Sequence, residues 1–352
     1  KRKGREWEAC CPFHQEKTPS FFVNDQKGFY HCFGCSAHGD SITFLMEHDR
    51  LSYPQAIELL AREAGVPLPE VSPEMEQEEK RRQSLQEVVE MACQWFQEQL
   101  QLSHGQAARD YLRSRGLTEA TLRQFRLGYS PEDRYALKHF LKNEGVEEAQ
   151  MLEAGLIIKP EDGRPAYDRF RDRVIFPIAD RHGEIIAFGG RLMVKSETAP
   201  KYLNSPETPL FHKGQLLYNW HHAKIALRDD LPIIVAEGYM DVIALHQHGF
   251  PGAVAPLGTA LTETHLKGLW RYQDAPVLCL DGDAAGQRAM WRSAELALPL
   301  LQPGKTLRFL VLPEGQDPDD FLRDRCTEAF RQQLEHTVPL SQMLYETVTT
   351  RH

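Results

Sequence analysis

The spacing of apolar residues changes character along the chain. Residues 1–66 hold no sustained period. Two short aromatic runs, Ser20–Val23 and Gly28–Cys32, flank a turn at Asp25–Gly28 and predict paired strands. A helix is expected from near Asp40. Another is expected from Ser52 to about Gly65, with Pro54 in its first turn, where a missing N–H is tolerated. Residues 67–84, PLPEVSPEMEQEEKRRQS, pass from proline to mixed charge without an apolar stripe, so they read as an acidic tether leading into a helix. Helical spacing continues to about Leu102 and returns near 105–115, 118–126, 134–144 and 147–154, with Thr118 as a suitable cap.

The period then shortens. Arg173–Ala179 and Glu184–Leu192 flank Arg181-His182-Gly183, a hairpin signal. From residue 215 onward strands and helices alternate, with apolar runs at Pro232–Ala236, Gly252–Ala255, Ala275–Leu280 and Leu307–Leu312. Unbroken apolar runs suit parallel strands buried on both faces. The fold class is α/β (mixed α+β), behind a small Cys/His-rich domain. No apolar run approaches the ~18–20 residues of a membrane helix.

Charge changes this picture only after it is divided by region. The net charge of −9 argues, taken whole, against a polyanionic partner. Residues 51–100, however, hold 10 acidic and 4 basic side chains, and the remainder is nearly balanced, so a nucleic-acid partner stays open. Four of the seven cysteines fall within the first 35 residues. That is no disulfide framework, and it fits a reducing compartment. Cys93, Cys279 and Cys326 read as buried small apolar residues, and Cys10, His31 and His38 as bystanders to the chemistry.

Cys11-Pro12-Phe13-His14 precedes Cys32-Phe33-Gly34-Cys35 by 17 residues. Two pairs, each with two residues between ligands, match the knuckles of a tetrahedral zinc ribbon. Four protein ligands leave no position for water, so one structural zinc is expected. Around it Lys17, Lys27, Phe29, Tyr30, His31 and Phe33 mix cations with aromatics, as a surface for unpaired bases does.

Three of the later apolar runs end in acids: Glu237 with Asp241, Asp281 with Asp283, and a loop with Asp317 and Asp319. Ligands of open α/β sheets sit beyond the carboxyl ends of the strands, so these acids are expected to converge. Carboxylates held together repel unless cations offset them, and an all-oxygen donor set favours Mg²⁺ or Mn²⁺. Two alternatives stay open: Glu237 as a general acid or base, and Asp317 and Asp319 as a helix cap and a loop acid. Arg169, Arg171 and Arg173 alternate and are expected to share one face as a basic ridge.

Taken in order, CPFHQEKTPSFFV with HCFGC, RFRDRVIFPI, FGGR, PKYLNSPETPLFHKG, VAEGYMDVIAL, PLGTALT, LDGDAAG and DPDDF resemble bacterial DnaG-type DNA primases over essentially the whole chain. The later motifs resemble a toprim domain. The resemblance implies a zinc ribbon followed by a polymerase domain with a toprim core. It implies de novo synthesis of short RNA primers on single-stranded DNA from NTPs, by nucleotidyl transfer in the cytoplasm at the nucleoid's replication fork. An RNA–DNA hybrid would be the product. By the same resemblance Cys11, His14, Cys32 and Cys35 hold zinc, and Glu237, Asp281 and Asp283 form the catalytic metal cluster. Asp241, Asp317 and Asp319 support that cluster, and Arg115, Arg191, Lys201 and Lys213 bind nucleotide or template.

The expected partition is a zinc-ribbon template-binding domain (1–66), an acidic linker (67–84), a basic N-terminal part of the polymerase domain (85–214), a toprim subdomain (215–335) and the start of a C-terminal extension (336–352). The chain does not open on Met, and the family's helicase-binding domain is expected beyond residue 352, so helicase docking belongs to the full-length protein. The rival readings are a non-catalytic recombination mediator that joins a zinc motif to a toprim core, and a toprim nuclease.

Overall fold

The computed structural model describes residues 1–4, 6–66, 73–194, 196–227 and 231–350. It divides into two compact units, Lys1–Gln77 and Glu78–His352.

In the first unit, strands β1 (Arg2–Lys3), β2 (Glu6–Ala9), β3 (Phe21–Asn24), β4 (Phe29–Cys32) and β5 (His38–Gly39) pair in sequence order as one antiparallel sheet. Helices α1 (Ser41–His48) and α2 (Tyr53–Ala64) follow. Asp40 caps α1 by accepting the Thr43 N–H at 2.8 Å. Gly65, at φ 64°, ends α2 in a conformation that L side chains resist. The core is aromatic: Phe21 and Tyr30 are buried with Cys11 and Cys32, and Phe13 and Phe44 pack against them. The Phe21 and Tyr30 rings stack at 5.2 Å.

Of the expected tether, residues 67–72 lie outside the described residues. Residues 73–84 are helical, within α3 (Pro73–Gln101), because Glu, Gln, Lys, Arg and Met are strong helix formers even without an apolar stripe. From Leu85 onward the stripe appears, with Leu85, Val89, Ala92, Phe96 and Leu100 all buried.

The second unit continues with α4 (Gln106–Ser114), α5 (Glu119–Gln124), β6 (Gly128–Ser130), α6 (Ala136–Asn143), α7 (Glu148–Glu153) and the short pair β7 (Ile157–Ile158) and β8 (Tyr167–Asp168). Strands β9 (Arg173–Ala179), β10 (Ile185–Leu192) and β11 (Tyr202–Asn204) complete an antiparallel sheet in the order β11-β10-β9-β6. The expected hairpin turn is held by Asp180, whose carboxylate accepts the N–H groups of His182 and Glu184 at 2.8 and 3.1 Å.

Two expectations are corrected here. The Arg169–Arg173 ridge does not form. Arg173 is buried and donates to the carbonyls of Gly190, Pro200 and Lys201, while Arg169 donates to the Asn204 carbonyl. Their charge is spent on backbone acceptors that would otherwise be orphaned. Cys326 is exposed rather than buried, because it is the cap residue ahead of the helix Thr327–Glu335.

After β12 (Leu217–Tyr218) and α8 (Trp220–Ala226) come β13 (Ile234–Val235), α9 (Tyr239–Gln247), β14 (Ala253–Pro256), α10 (Glu263–Trp270), β15 (Val277–Leu280) and α11 (Ala284–Ala297). The chain ends with β16 (Arg308–Val311), α12 (Pro318–Asp324), α13 (Thr327–Glu335), β17 (Val338–Pro339) and α14 (Leu340–Thr350). The sheet runs β12-β14-β13-β15-β16-β17, with the four central strands parallel and both edges antiparallel. Alternation divides its two faces. Ile234, Ala236, Val277 and Cys279 join the core that holds α9 and α12, whereas Val235, Leu278 and Leu280 join the one that holds α10 and α11. The first of these cores also contains Leu112, Val174 and Phe176, so the segments before and after residue 215 are packed as one body. Tyr239 is the joint. It stacks on Phe176 at 5.1 Å and fills the space left by Gly189, where a Cβ would lie 2.5 Å from its ring.

Two outcomes test this packing. Phe188 is fully buried, with Phe96 edge-on at 5.2 Å, so Phe188→Ala is expected to cost about 3–5 kcal/mol, read as a lower urea midpoint. His222 and His246 pack 5.2 Å apart, and burial lowers both to about 4. An unfolded imidazole titrates near ~6.5, so between that value and about 4 the unfolded chain binds protons that the folded one refuses. Stability is therefore expected to fall as pH drops through that window and to level off above it, with His246→Gln flattening the slope of urea midpoint against pH.

Candidate functional site

In the first unit the four expected ligands meet. Their donor atoms all lie within 4.8 Å of one another. Tetrahedral ligands about 2.0–2.3 Å from zinc sit roughly 3.5–3.8 Å apart. Cys11 Sγ and Cys35 Sγ are 3.7 Å apart, and Cys32 Sγ and His14 Nδ1 are 3.8 Å apart. Backbone N–H groups of Phe13 and Gly34 donate to Cys11 and Cys32 sulfur at 3.4 and 3.3 Å. Burial opposes a charged Cys32, but the Ser20 hydroxyl and the N–H groups of Cys35 and Gly34 outweigh it and hold the thiol at about 6. Glu16 stands 3.3 Å from His14 Nε2 and fixes the ring, as outer partners of metal ligands do. The donor set fits a structural zinc. Of the expected aromatic face, Phe33 and Phe29 are exposed at 73% and 40%, while Tyr30 is buried. Lys17 and Lys27 are exposed.

In the second unit the acids gather where β13 and β15 end. The Glu237 carboxylate accepts the Asp281 N–H at 3.1 Å. Asp241, in the first turn of α9, is buried and accepts the Gly238 N–H at 3.0 Å. Burial, then Asp317, Asp281 and Asp319, push its pKa well up. Asp281 is raised to about 7 by burial, then by Glu237, Asp317 and Asp283. Its Oδ1 is buried without a hydrogen-bond partner.

Asp283 is placed differently. It caps α11, with Oδ1 accepting the Ala285 and Gly286 N–H groups at 2.8 Å, and it does not line the cleft described below. Asp317 caps α12 by accepting the Asp320 N–H at 2.6 Å. Asp319 is 2% exposed and pairs with Arg115. A cluster of hard oxygens with an orphaned carboxylate oxygen fits a divalent cation.

Basic groups face these acids across one cleft of about 500 Å³. Arg115, at the end of α4, reaches Asp319 and stands 3.5 Å from Asp320 and 4.0 Å from Asp317. Arg191, on β10, lies over the Tyr111 ring at 3.9 Å and gives one N–H to the Leu192 carbonyl. Its Nε is buried without a partner. Lys201 lines the same cleft. Lys213 does not. It lies on the short turn Lys213–Gln215, with its N–H bonded to Glu207 at 3.1 Å.

Sequence reasoning passed over Asp320, whose carboxylate groups with those of Asp317 and Asp319 within 4.8 Å; the run of acids in DPDDF was its signal. It also passed over Tyr111 and Tyr202 in the cleft wall. Neither carries a signal of its own, since each reads as an ordinary packing residue.

Gly34 tests the zinc cluster. A Cβ there would lie 2.6 Å from His14 Nε2 and 2.9 Å from Ser20 Oγ. Gly34→Ala and Cys35→Ser are both expected to release bound zinc at a lower chelator concentration than the unaltered protein, measured with a colorimetric zinc indicator.

Residues 1–76 match the CHC2 zinc finger family, residues 95–224 the N-terminal domain of the DNA primase catalytic core, and residues 232–311 the toprim domain. The chain is 46% identical over 351 residues to a DNA primase of Pseudomonas putida, covering 98% of this chain and 53% of the relative. It thus spans about half the length of the curated relatives it matches. The solved zinc-binding and RNA polymerase domains of Aquifex aeolicus primase are 33% identical, with a TM-score of 0.68, covering 99% of this chain and 83% of that one. A DnaG primase catalytic domain solved with single-stranded DNA is 38% identical, with a TM-score of 0.70, covering 77% and 84%. With the zinc ribbon, catalytic core and toprim domain in one order along one chain, the protein belongs to the DnaG-type DNA primase family.

Proposed function

We propose that this chain carries the template-binding and RNA-polymerising parts of a DNA primase, which starts short RNA chains on single-stranded DNA from NTPs. The observation that carries this reading is the single cleft in which Arg115, Arg191 and Lys201 face Glu237, Asp281 and Asp317. Cations on one wall suit a triphosphate, and acids on the other suit the ions that accompany it. The solved relative with single-stranded DNA on its catalytic domain supports the choice of template.

The residues divide the work. Arg191, braced on Tyr111, and Lys201 bind the triphosphate. Arg115 keeps Asp319 and its neighbours in place and offers its remaining N–H groups to phosphate. Glu237, Asp281 and Asp317, supported by Asp241, Asp319 and the cap residue Asp283, would hold Mg²⁺ or Mn²⁺. When bound, that ion supplies charge to offset the developing negative oxygens. Glu237 or water accepts the proton of the attacking 3′-hydroxyl. Lys213, outside the cleft, serves the template strand. In the zinc unit, residues 1–66, Phe29 and Phe33 stack bases while Lys17 and Lys27 meet phosphates. Residues 85–214 and 215–335 form the polymerase body, and the RNA–DNA hybrid is its product. A replicative helicase is a further partner of the full-length protein. The replication fork in the nucleoid is its place of work, and no described helix is long and apolar enough to cross a membrane.

The test supplies single-stranded templates, labelled NTPs and Mg²⁺ or Mn²⁺ without primer. Short RNA products are expected. Glu237→Gln and Asp281→Asn are expected to lower their yield by ~10²–10³-fold, with template binding by fluorescence anisotropy unchanged. Arg191→Ala removes charge-assisted contacts of ~1.5–3 kcal/mol and is expected to raise the KM for NTP about tenfold or more. Cleavage of the strand without synthesis, or strand binding with neither reaction, would overturn the reading in favour of a nuclease or a recombination mediator.

A further inference from the structure

Glu237 borders a second cavity, of about 310 Å³. It shares Glu237, Pro256 and Gly258 with the cleft already described. The two reach this carboxylate from opposite faces of the sheet. The first cleft is walled by Gly238, Tyr239 and Asp241 at the start of α9, on the face to which Ala236 and Cys279 belong. The second is walled chiefly by Val235, Leu278 and Leu280, which belong to the other face, by Ala289 and Arg292 of α11, and at the strand end by Ala236. Its walls are mostly apolar, and Glu237 and Arg292 are its two charged groups. Arg292 is exposed and has no carboxylate partner among the described residues.

The reading that follows rests on the proposed function. Displacement at a phosphoryl group runs in line, with the attacking and leaving oxygens on opposite sides of phosphorus. Three cations hold the triphosphate in the first cleft, so the departing pyrophosphate is held there too. The attacking oxygen approaches that phosphorus from the side away from the leaving group, and the second cavity, which meets the first cleft at Glu237, offers such a side. Its volume stands near the lower end of ~300–1,000 Å³ for ligand sites, and its apolar walls suit a ribose and base. Its single arginine matches the single charge of a phosphodiester, where the first cleft matches a triphosphate.

We propose that the cavity between the 256–261 loop and α11 seats the nucleotide that supplies the 3′-hydroxyl, and that Arg292 binds a phosphate of that strand. The occupant is the 3′-terminal nucleotide of the growing RNA. In each turnover the 3′-oxygen bonds to the α-phosphorus of the NTP in the first cleft. The bond from that phosphorus to the β-bridging oxygen breaks, and pyrophosphate leaves with the electron pair. The hydroxyl proton passes to Glu237 or to water. Arg292 acts as a positioning residue.

The test separates the two cavities. A fluorescent DNA template carrying a paired RNA dinucleotide is titrated with protein in the absence of divalent ions, followed by anisotropy, beside the same template unprimed. Arg292→Ala is expected to weaken binding of the primed template about tenfold and to leave the unprimed one unchanged, with Arg292→Lys restoring part of the loss. In dinucleotide-primed extension, Arg292→Ala is expected to raise the KM for primed template by a similar factor, while the KM for the incoming NTP and the thermal midpoint stay fixed. Equal affinity of wild type and Arg292→Ala for primed template would overturn the proposal, as would a rise confined to the KM for NTP. Failure of the wild-type protein to synthesise RNA would strike the parent reading alone, because the binding arm needs no synthesis to judge the cavity.

Discussion

Like-charge repulsion at one edge of a parallel sheet is the constraint on which the second unit is built. Glu237, Asp241, Asp281, Asp317, Asp319 and Asp320 are brought together there from three separate segments of chain, and two of them, Asp241 and Asp319, are buried. Left alone they would drive the strand ends apart or take up protons, and burial first, with the neighbouring acids adding to it, raises the pKa values of Asp241, Asp281 and Asp319. Backbone N–H groups relieve part of it, at Gly238, Asp281 and Asp320. Arg115 relieves more by meeting the α12 acids from a different part of the chain. The remainder is left for cations from solution. The edge is thus held short of neutrality, a shortfall that the proposed divalent ions would offset.

The surroundings follow from this requirement. Parallel strands deliver several carboxylates to one edge because every strand ends there. The antiparallel sheet brings the counter-charge, with β10 carrying Arg191 and the chain after it Lys201. Tyr239 locks the two sheets together through Phe176 and the notch at Gly189, so the acidic and basic walls face each other across a fixed span. A buried arginine such as Arg173, spent on three carbonyls, belongs to the same scheme. It secures the strands from which the cleft cations project rather than adding to them.

Much of this was legible in the residues. The ligand spacing of Cys11, His14, Cys32 and Cys35 is local, and a local pattern survives folding unchanged. Apolar runs ending in acids revealed the sheet edge, since burial on both faces leaves no polar alternation to confuse the reading. What stayed hidden depends on encounters between distant segments. Whether Arg169 and Arg173 face solvent is decided by carbonyls at 190–204, and no period in the sequence announces that. The start of the helix behind the tether was hidden for the opposite reason: residues 73–84 are helical through intrinsic propensity, whereas an apolar stripe reports only helices that pack. Asp283 looks equivalent to Asp281 in sequence, yet its carboxylate is engaged by the first turn of α11. Tyr111 becomes informative only when Arg191 lies over it.

The Arg115–Asp319 pair joins residues 204 positions apart. On a ribosome adding ~5–20 residues per second, the acid is made roughly 10–40 s after the arginine. The cationic wall is therefore synthesised first and waits, solvated, while β13, β15 and β16 emerge. The order of the chain, cleft cations before most of the cleft acids, sets the order in which the electrostatic load is applied, and the cleft is completed only near the end of synthesis of this segment.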